Sequence, residues 1–290
     1  CWLASMALVY GGPGAENRRY VSADLTEDQR YLSIQTAQTT AGNTLFIQDL
    51  SQPDSPFIEI PTEDHADTRV IKSINETLLL FTNHGAPNGR LVALRLDQPE
   101  PSAWTDIIPE RASPLRLSTG AGYLFAHYLI DARSRLYQYT DAGDLVREIP
   151  LPEPGSASRP FGKDTDETVY YTFGNYKQPS TIYAYNPGTG DAQRYFKPDI
   201  RFKSDDYETH QVFYSSPDGT QIPMTLTYKK GLKRDGNNPT LLYGYGGFDI
   251  SITPGFSTTT ALWLSLGGIY AVPNIRGGGE YGKNWHIQGT

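Results

Sequence analysis

Directly after the apolar run Thr240-Leu-Leu come Tyr243, Gly244, Tyr245, Gly246, Gly247 and Phe248. Glycines at such a point let the backbone turn sharply and present N–H groups outward, and each tyrosine adds a phenolic donor. Donors aimed at a developing negative charge are oxyanion-hole chemistry, each contributing roughly 2.7–4 kcal/mol in the transition state. The competing explanation is that both tyrosines only pack the end of a strand, and the glycine pattern by itself does not separate the two. In α/β-hydrolases this loop follows the third strand, and the nucleophile comes later on a Gly-x-Ser-x-Gly elbow. No such elbow occurs in the 290 residues.

A second glycine cluster, Ile275-Arg-Gly-Gly-Gly-Glu-Tyr-Gly282, contains a literal Gly-x-Gly-x-x-Gly at Gly277, Gly279 and Gly282. Alone, that match is weak evidence of dinucleotide binding, and Trp285-His286 does not read as the start of a glycine-capped helix. The cluster reads instead as a tight loop leaving a strand, held by polar contacts of Arg276 and Glu280. His286 has the chemistry of a general base but the wrong place in the chain, because the hydrolase histidine comes last. His65, His84, His127 and His210 lack metal-ligand spacing. Cys1 is the single cysteine, which rules out an internal disulfide and Cys-rich zinc sites. Neither a metal nor a cofactor is expected. Asn75-Glu-Thr77 matches a glycosylation acceptor, without meaning in a cytosolic protein.

The elements that must position these residues show a repeat. Leu32, Leu78, Tyr123 and Val169 sit in similar apolar runs spaced by 46, 45 and 46 residues. A second series, Leu45, Leu91, Leu136 and Ile182, repeats the same spacings. Turn signals such as Asn75-Glu76, Gly120-Ala-Gly122, Asp141-Ala-Gly143 and Pro187-Gly-Thr-Gly190 separate the runs. An outer strand closes each unit near Phe57–Ile60, Trp104–Ile108, Leu145–Ile149 and Ala192–Phe196. About four strands per unit of about 45 residues is β-propeller patterning, and the rival pair of β-sandwiches predicts no constant period.

The style changes near residue 203. Twelve of the 28 glycines fall in the last 55 residues. His210–Tyr214, the turn Pro217-Asp-Gly and Ile222–Tyr228 read as a hairpin. A buried strand at Thr240–Tyr243, a helix over Ser257–Leu266 and a strand over Ile269–Ile275 then make a β-α-β unit, the opening of an α/β sheet. Pro273 inside that last strand is unexpected, since it removes a ladder donor. The domains divide at 1–203 and 204–290.

The net charge of −7 and the lack of a clustered Lys/Arg stripe argue against a nucleic-acid partner. The apolar start, Cys1–Tyr10, is too short to span a bilayer and reads as a cut edge, with Leu8–Tyr10 the remnant of a strand.

Three stretches carry a resemblance: Asp218-Gly-Thr-Gln-Ile-Pro-Met, Leu242-Tyr-Gly-Tyr-Gly-Gly-Phe-Asp-Ile-Ser-Ile-Thr-Pro254, and Asn274–Gly282 with Trp285-His286. Together they resemble the prolyl oligopeptidase family of serine peptidases, most strongly after residue 205 and more loosely over the repeats. The resemblance implies an internal fragment. It would comprise about four blades of a seven-bladed β-propeller followed by the truncated start of an α/β-hydrolase domain. It further implies hydrolysis of short proline-containing peptides on the carboxyl side of proline through an acyl-enzyme, by a cytoplasmic monomer. Tyr245 matches the family's oxyanion-binding tyrosine and Phe248 an aromatic lining the proline pocket. The Ser-Asp-His triad would lie beyond Thr290, leaving these residues inactive alone. Two other readings stand beside this one. They are a related oligopeptidase cleaving after basic residues, which Phe248 and Asp-Ile-Ser-Ile disfavour, and a non-catalytic propeller binding module with a hydrolase remnant.

Overall fold

A computed structural model describes residues 10–11, 18–39, 42–52, 54–63 and 65–289. Leu8 and Val9, expected in a strand remnant, lie outside the described residues. Two compact units are distinguished: Cys1–Gly85 with Leu91–Asp106, and Ala86–Arg90 with Ile107–Thr290.

Four consecutive four-stranded sheets come first. They are β1 (Tyr20–Leu25), β2 (Tyr31–Ala37), β3 (Thr44–Asp49) and β4 (Ile58–Ile60); then β5 (Thr68–Ile74), β6 (Thr77–Thr82), β7 (Arg90–Arg95) and β8 (Thr105–Ile108). The third holds β9 (Arg116–Gly120), β10 (Tyr123–Ile130), β11 (Arg133–Tyr139) and β12 (Leu145–Ile149). The fourth holds β13 (Ser156–Ala157), β14 (Val169–Gly174), β15 (Thr181–Tyr185) and β16 (Ala192–Phe196). Strand order within each sheet follows the chain. The first repeat series falls on the second strand of every sheet and the second series on the third strand, as a propeller blade requires. These four sheets are propeller blades.

The second strand of the second and third blades is buried on both faces. In β6, Leu78–Thr82 are all buried, and so are Leu124–Tyr128 in β10. Within the first unit, Tyr31, Leu45, Ile47 and Ile60 of the first blade pack with Leu78, Leu80, Val92 and Leu94 of the second. Within the second unit, Phe125, Leu136 and Ile149 of the third blade pack with Val169, Tyr171, Phe173 and Tyr185 of the fourth. The buried Tyr185 hydroxyl donates to Gln138 Oε1 at 2.6 Å, so the ring enters the core without leaving its polar atom stranded. Asp131 and Ala132 join β10 to β11 with φ of 50° and 59°. That is the two-residue turn whose twist matches its flanking strands.

A fifth sheet follows, in the order β17-β18-β20-β19. The hairpin β17 (Tyr207–Ser215) and β18 (Gln221–Lys229) pairs through nine registered positions. Its turn is the expected one, with Gly219 at φ 86°. Then β19 (Thr240–Leu242), helix α1 (Thr258–Ser265) and β20 (Ile269–Pro273) form the β-α-β unit, with β19 and β20 parallel. The Ser257 hydroxyl caps α1 by accepting from Thr260 N–H at 3.0 Å. These are the opening elements of an α/β-hydrolase sheet.

Two expectations need correction. Among the described residues the strand at Thr240, expected to be buried, lies at the edge of its sheet beside β20, with Leu241 and Leu242 exposed. Gly282 does cap a helix, the five-residue α2 (Lys283–Ile287), because its φ of 80° reverses the chain just ahead of it. Pro273 is explained by its place at the end of β20. Asn274 N–H donates to Pro223 O and Tyr243 N–H to Ala271 O, both at 2.9 Å. By the alternation of the ladder, the absent donor of residue 273 points towards β19, which has already ended at Leu242. The proline therefore ends a ladder instead of breaking one.

Candidate functional site

The segment from Tyr243 to Pro254 links β19 to α1 and runs against the second glycine cluster. Each of the three consecutive glycines of that cluster, Gly277, Gly278 and Gly279, meets backbone. A β-carbon on Gly279 would lie 2.6 Å from Asp249 O, and one on Gly278 would lie 2.9 Å from Ile250 O. One on Gly277 would collide with Gly246 O, and one on Gly246 with Arg276 O. The glycines are thus required by direct contact between two main chains. This accounts for the Arg-Gly-Gly-Gly-Glu-Tyr-Gly sequence without any nucleotide.

Polar side chains close the remaining gaps. Glu280 is fully buried, and its Oε1 accepts from Ile252 N–H at 2.8 Å and from the Asn274 amide at 3.1 Å. The same amide donates to Ile252 O at 2.6 Å. Burial pushes the Glu280 carboxyl above its ordinary value, with Asp249 adding to the effect and the two donors opposing it. His286 Nδ1 lies 2.7 Å from Gly277 O and 3.1 Å from Asp249 N. The two contacts need opposite tautomers, and in either one the ring is occupied in closing the loop. Arg276 pairs with Asp218 and donates to Ser216 Oγ at 3.0 Å, tying the β17–β18 turn to the same cluster. Arg276 and Glu280 therefore hold the loop as the sequence predicts.

Two contacts join this region to the blades of its own unit. Tyr281 donates to Asp131 Oδ1 at 2.8 Å, and Gln211 donates to Asp131 O. Tyr176, from the β14–β15 connection, meets Tyr270 edge-on at 5.2 Å. Sequence reasoning missed Asn274, Asp131 and Tyr176. Their partners are remote, and only the placement of an asparagine between a strand and a glycine run hinted at the first.

The result is a pair of docked loops, a platform with two aromatic residues on it. Tyr245 is half-buried, its ring folded back over Gly247. Phe248 is 85% exposed, and both it and Asp249 have left-handed backbones, with φ of 54° and 58°. Such conformations cost about 1–3 kcal/mol each and persist only where surroundings enforce them. Tyr243, the other tyrosine of the motif, lies nearer the strand, its N–H bonded to Ala271 O. The loop carries a phenol and a flat apolar ring three residues apart in the chain. Among the described residues, no three His, Cys, Asp or Glu side chains gather as a metal ion would need, and no helix is long and apolar enough to cross a membrane.

Residues 5–198 match the family model described as "Prolyl oligopeptidase, N-terminal beta-propeller domain", and residues 254–290 match that of the "Prolyl oligopeptidase family". The chain is 50% identical over 273 residues to a prolyl endopeptidase of Elizabethkingia meningoseptica, covering 94% of this chain and 39% of that protein. It is 32% identical to a dual function macrocyclase-peptidase of Amanita bisporigera, over 92% of this chain and 38% of that one. Among solved structures, a prolyl endopeptidase superposes with a TM-score of 0.82 at 36% identity, over 93% of this chain and 40% of that one. Prolyl oligopeptidase B from Galerina marginata superposes equally well at 30% identity, with the same coverage. A second structure of that protein is bound to a 35mer hydrolysis and macrocyclization substrate. The chain thus spans about two fifths of the length of the relatives it matches.

Proposed function

The chain belongs to the prolyl oligopeptidase family, and from that premise we propose that it is part of a serine endopeptidase cleaving short peptides on the carboxyl side of proline. The single observation that carries the proposal is the platform of Tyr245 and Phe248. Among the described residues nothing packs over the Phe248 ring enough to account for its left-handed backbone, the ring being 85% exposed to them. Strain of that kind collects where a ligand is held.

The roles follow from charge and shape. When a nucleophile adds to the carbonyl after proline, negative charge develops on its oxygen. The Tyr245 phenol donates to that oxygen and strengthens its bond as the charge grows, which lowers the barrier. Phe248 supplies an apolar wall for the pyrrolidine ring. Two docked main chains keep both residues in place, so little reorganisation accompanies the chemistry. The nucleophile, its base and the orienting acid come from outside these 290 residues, which contain no Gly-x-Ser-x-Gly. Residues 1–203 act as the propeller portion that filters substrates by size, and 204–290 open the catalytic domain. A sequence with one cysteine fits a reducing compartment, and we place the peptidase in the cytoplasm.

The test is hydrolysis of reporter peptides carrying proline, lysine or alanine before the scissile bond, by the protein as its gene encodes it. Cleavage should favour proline and stop with a serine-directed inhibitor, and residues 1–290 alone should give none. A preference for lysine would support the basic-residue reading. Inhibitor-sensitive turnover by residues 1–290 would overturn the assignment of the nucleophile.

A further inference from the structure

Glu280 is the least expected group near the platform. A carboxyl with no exposed surface normally pairs with a cation, since burying an isolated charge is costly. Glu280 instead meets two neutral donors, both on Oε1, while Oε2 is buried without a hydrogen-bond partner among the described residues. Those donors are not arbitrary. Ile252 lies on the segment that carries Phe248 and Asp249, and Asn274 lies at the end of β20, bonded at the same time to Ile252 O. One carboxyl oxygen therefore joins the strand end to the far side of the platform loop. Gly278 belongs to the same device, because a β-carbon there would strike Glu280 Oε2.

The left-handed pair Phe248-Asp249 needs an outside constraint on each flank. On one side it is pinned by Asp249 N–H, which reaches Gly277 O at 3.3 Å. On the other side the pin is Ile252 N–H to Glu280. We propose that Glu280 is a positioning residue, whose buried carboxyl oxygen holds the segment 248–254 against β20 and so fixes Phe248 and Tyr245 for the substrate. This rests on the reading of those two residues given above. The function required of Glu280 is that of an acceptor, which a neutral carboxyl or a carboxamide supplies equally well.

Glu280→Gln keeps Oε1, whereas Glu280→Leu fills the space and removes it. Both variants are made in the protein as its gene encodes it, and amide hydrogen exchange is followed by mass spectrometry. Glu280→Leu should speed exchange over residues 248–254 by at least about ten-fold, as loss of a buried acceptor predicts, with β10 and β14 unchanged. It should lower kcat/KM on a proline reporter by a similar factor, Tyr245 contributing through kcat and Phe248 through KM, and Glu280→Gln should stay within about three-fold of wild type in both exchange and kcat/KM. Equal exchange at 248–254 in wild type and Glu280→Leu would overturn the proposal, and so would a Gln variant as impaired as the Leu variant. If Glu280→Leu loosens the blades as well, Asn274→Ser carries the comparison by removing the amide that bridges Ile252 O and Glu280. Local loosening there supports the proposal and unchanged exchange overturns it. A wild-type protein that cleaves nothing but shows the exchange contrast would sink the peptidase reading and leave the positioning role intact.

Discussion

Replacing Gly246 with alanine tests the claim that two main chains dock directly, and Gly244 in the same motif supplies the control. Neither residue has the positive φ that penalises a side chain, so the two differ only in what a methyl group would meet. At Gly244 the nearest atom is Pro273 Cγ at 3.5 Å, an ordinary contact. At Gly246 the methyl would lie 2.7 Å from Ile275 Cγ1 and nearer still to Arg276 O. Restoring normal contact with Ile275 alone needs a retreat of about 0.7 Å. The backbone of 276–277 must move further, which stretches the 3.3 Å bond from Asp249 N–H to Gly277 O beyond use. Overpacking of this type costs about 1–3 kcal/mol, and the lost bond adds about 1 kcal/mol. Reduced freedom of the unfolded chain returns about 0.4–1 kcal/mol at either site. Gly246→Ala should therefore weaken the docked loops by about 1–3.5 kcal/mol, while Gly244→Ala should be neutral or slightly stabilising. Hydrogen exchange over residues 246–250 and 276–282 reads the difference, at about ten-fold per 1.4 kcal/mol. If the two alanines behave alike, the glycines serve flexibility rather than contact and the docking argument is wrong.

Two further outcomes follow. In the protein as its gene encodes it, Tyr245→Phe should lower kcat by about 10²-fold with KM nearly constant. A change confined to KM would reduce Tyr245 to a binding contact. The Asp218 carboxyl is held down to about 2, first by Thr220 N–H and then by Arg276. Because its folded value lies below the ordinary 3.8, the stability it lends is complete above about pH 4 and lost as pH falls through 2. Asp218→Asn should remove that acid-side loosening from the turn at 215–221, as read by exchange between pH 5 and pH 2, and a variant with the same acid limb as wild type would exclude Asp218 as its source.

The blades and the opening of the hydrolase sheet were legible because their signals are short-ranged. Apolar runs recur at 46, 45 and 46 residues, Pro217-Asp-Gly marks its hairpin, and Ser257 marks the start of α1 through a bond that spans three residues. Each apolar run, the hairpin and the cap depend on neighbours a few positions away, the recurrence of the runs then marking the blades, and the glycine-capped α2 is local in the same sense because Gly282 directly precedes it. The position of β19 at the edge of the described sheet could not be read in this way. An apolar triplet looks the same at the edge of a sheet as at its centre, and strand order is set by a partner that follows a helix.

The candidate site divides along the same line. Residue types alone establish that a phenol, an aromatic ring and a glycine-rich backbone follow a strand, and that Arg276 and Glu280 are the polar members of the second cluster. Only the tertiary structure decides that Gly277, Gly278 and Gly279 each face a carbonyl of the first loop, that Glu280 is sealed beneath it, and that Tyr281 reaches Asp131, 150 residues away. Propensity and periodicity act along the chain over a turn or a strand. Burial and close approach depend on which distant backbone arrives opposite, and that is known only once the sheet and its loops have assembled.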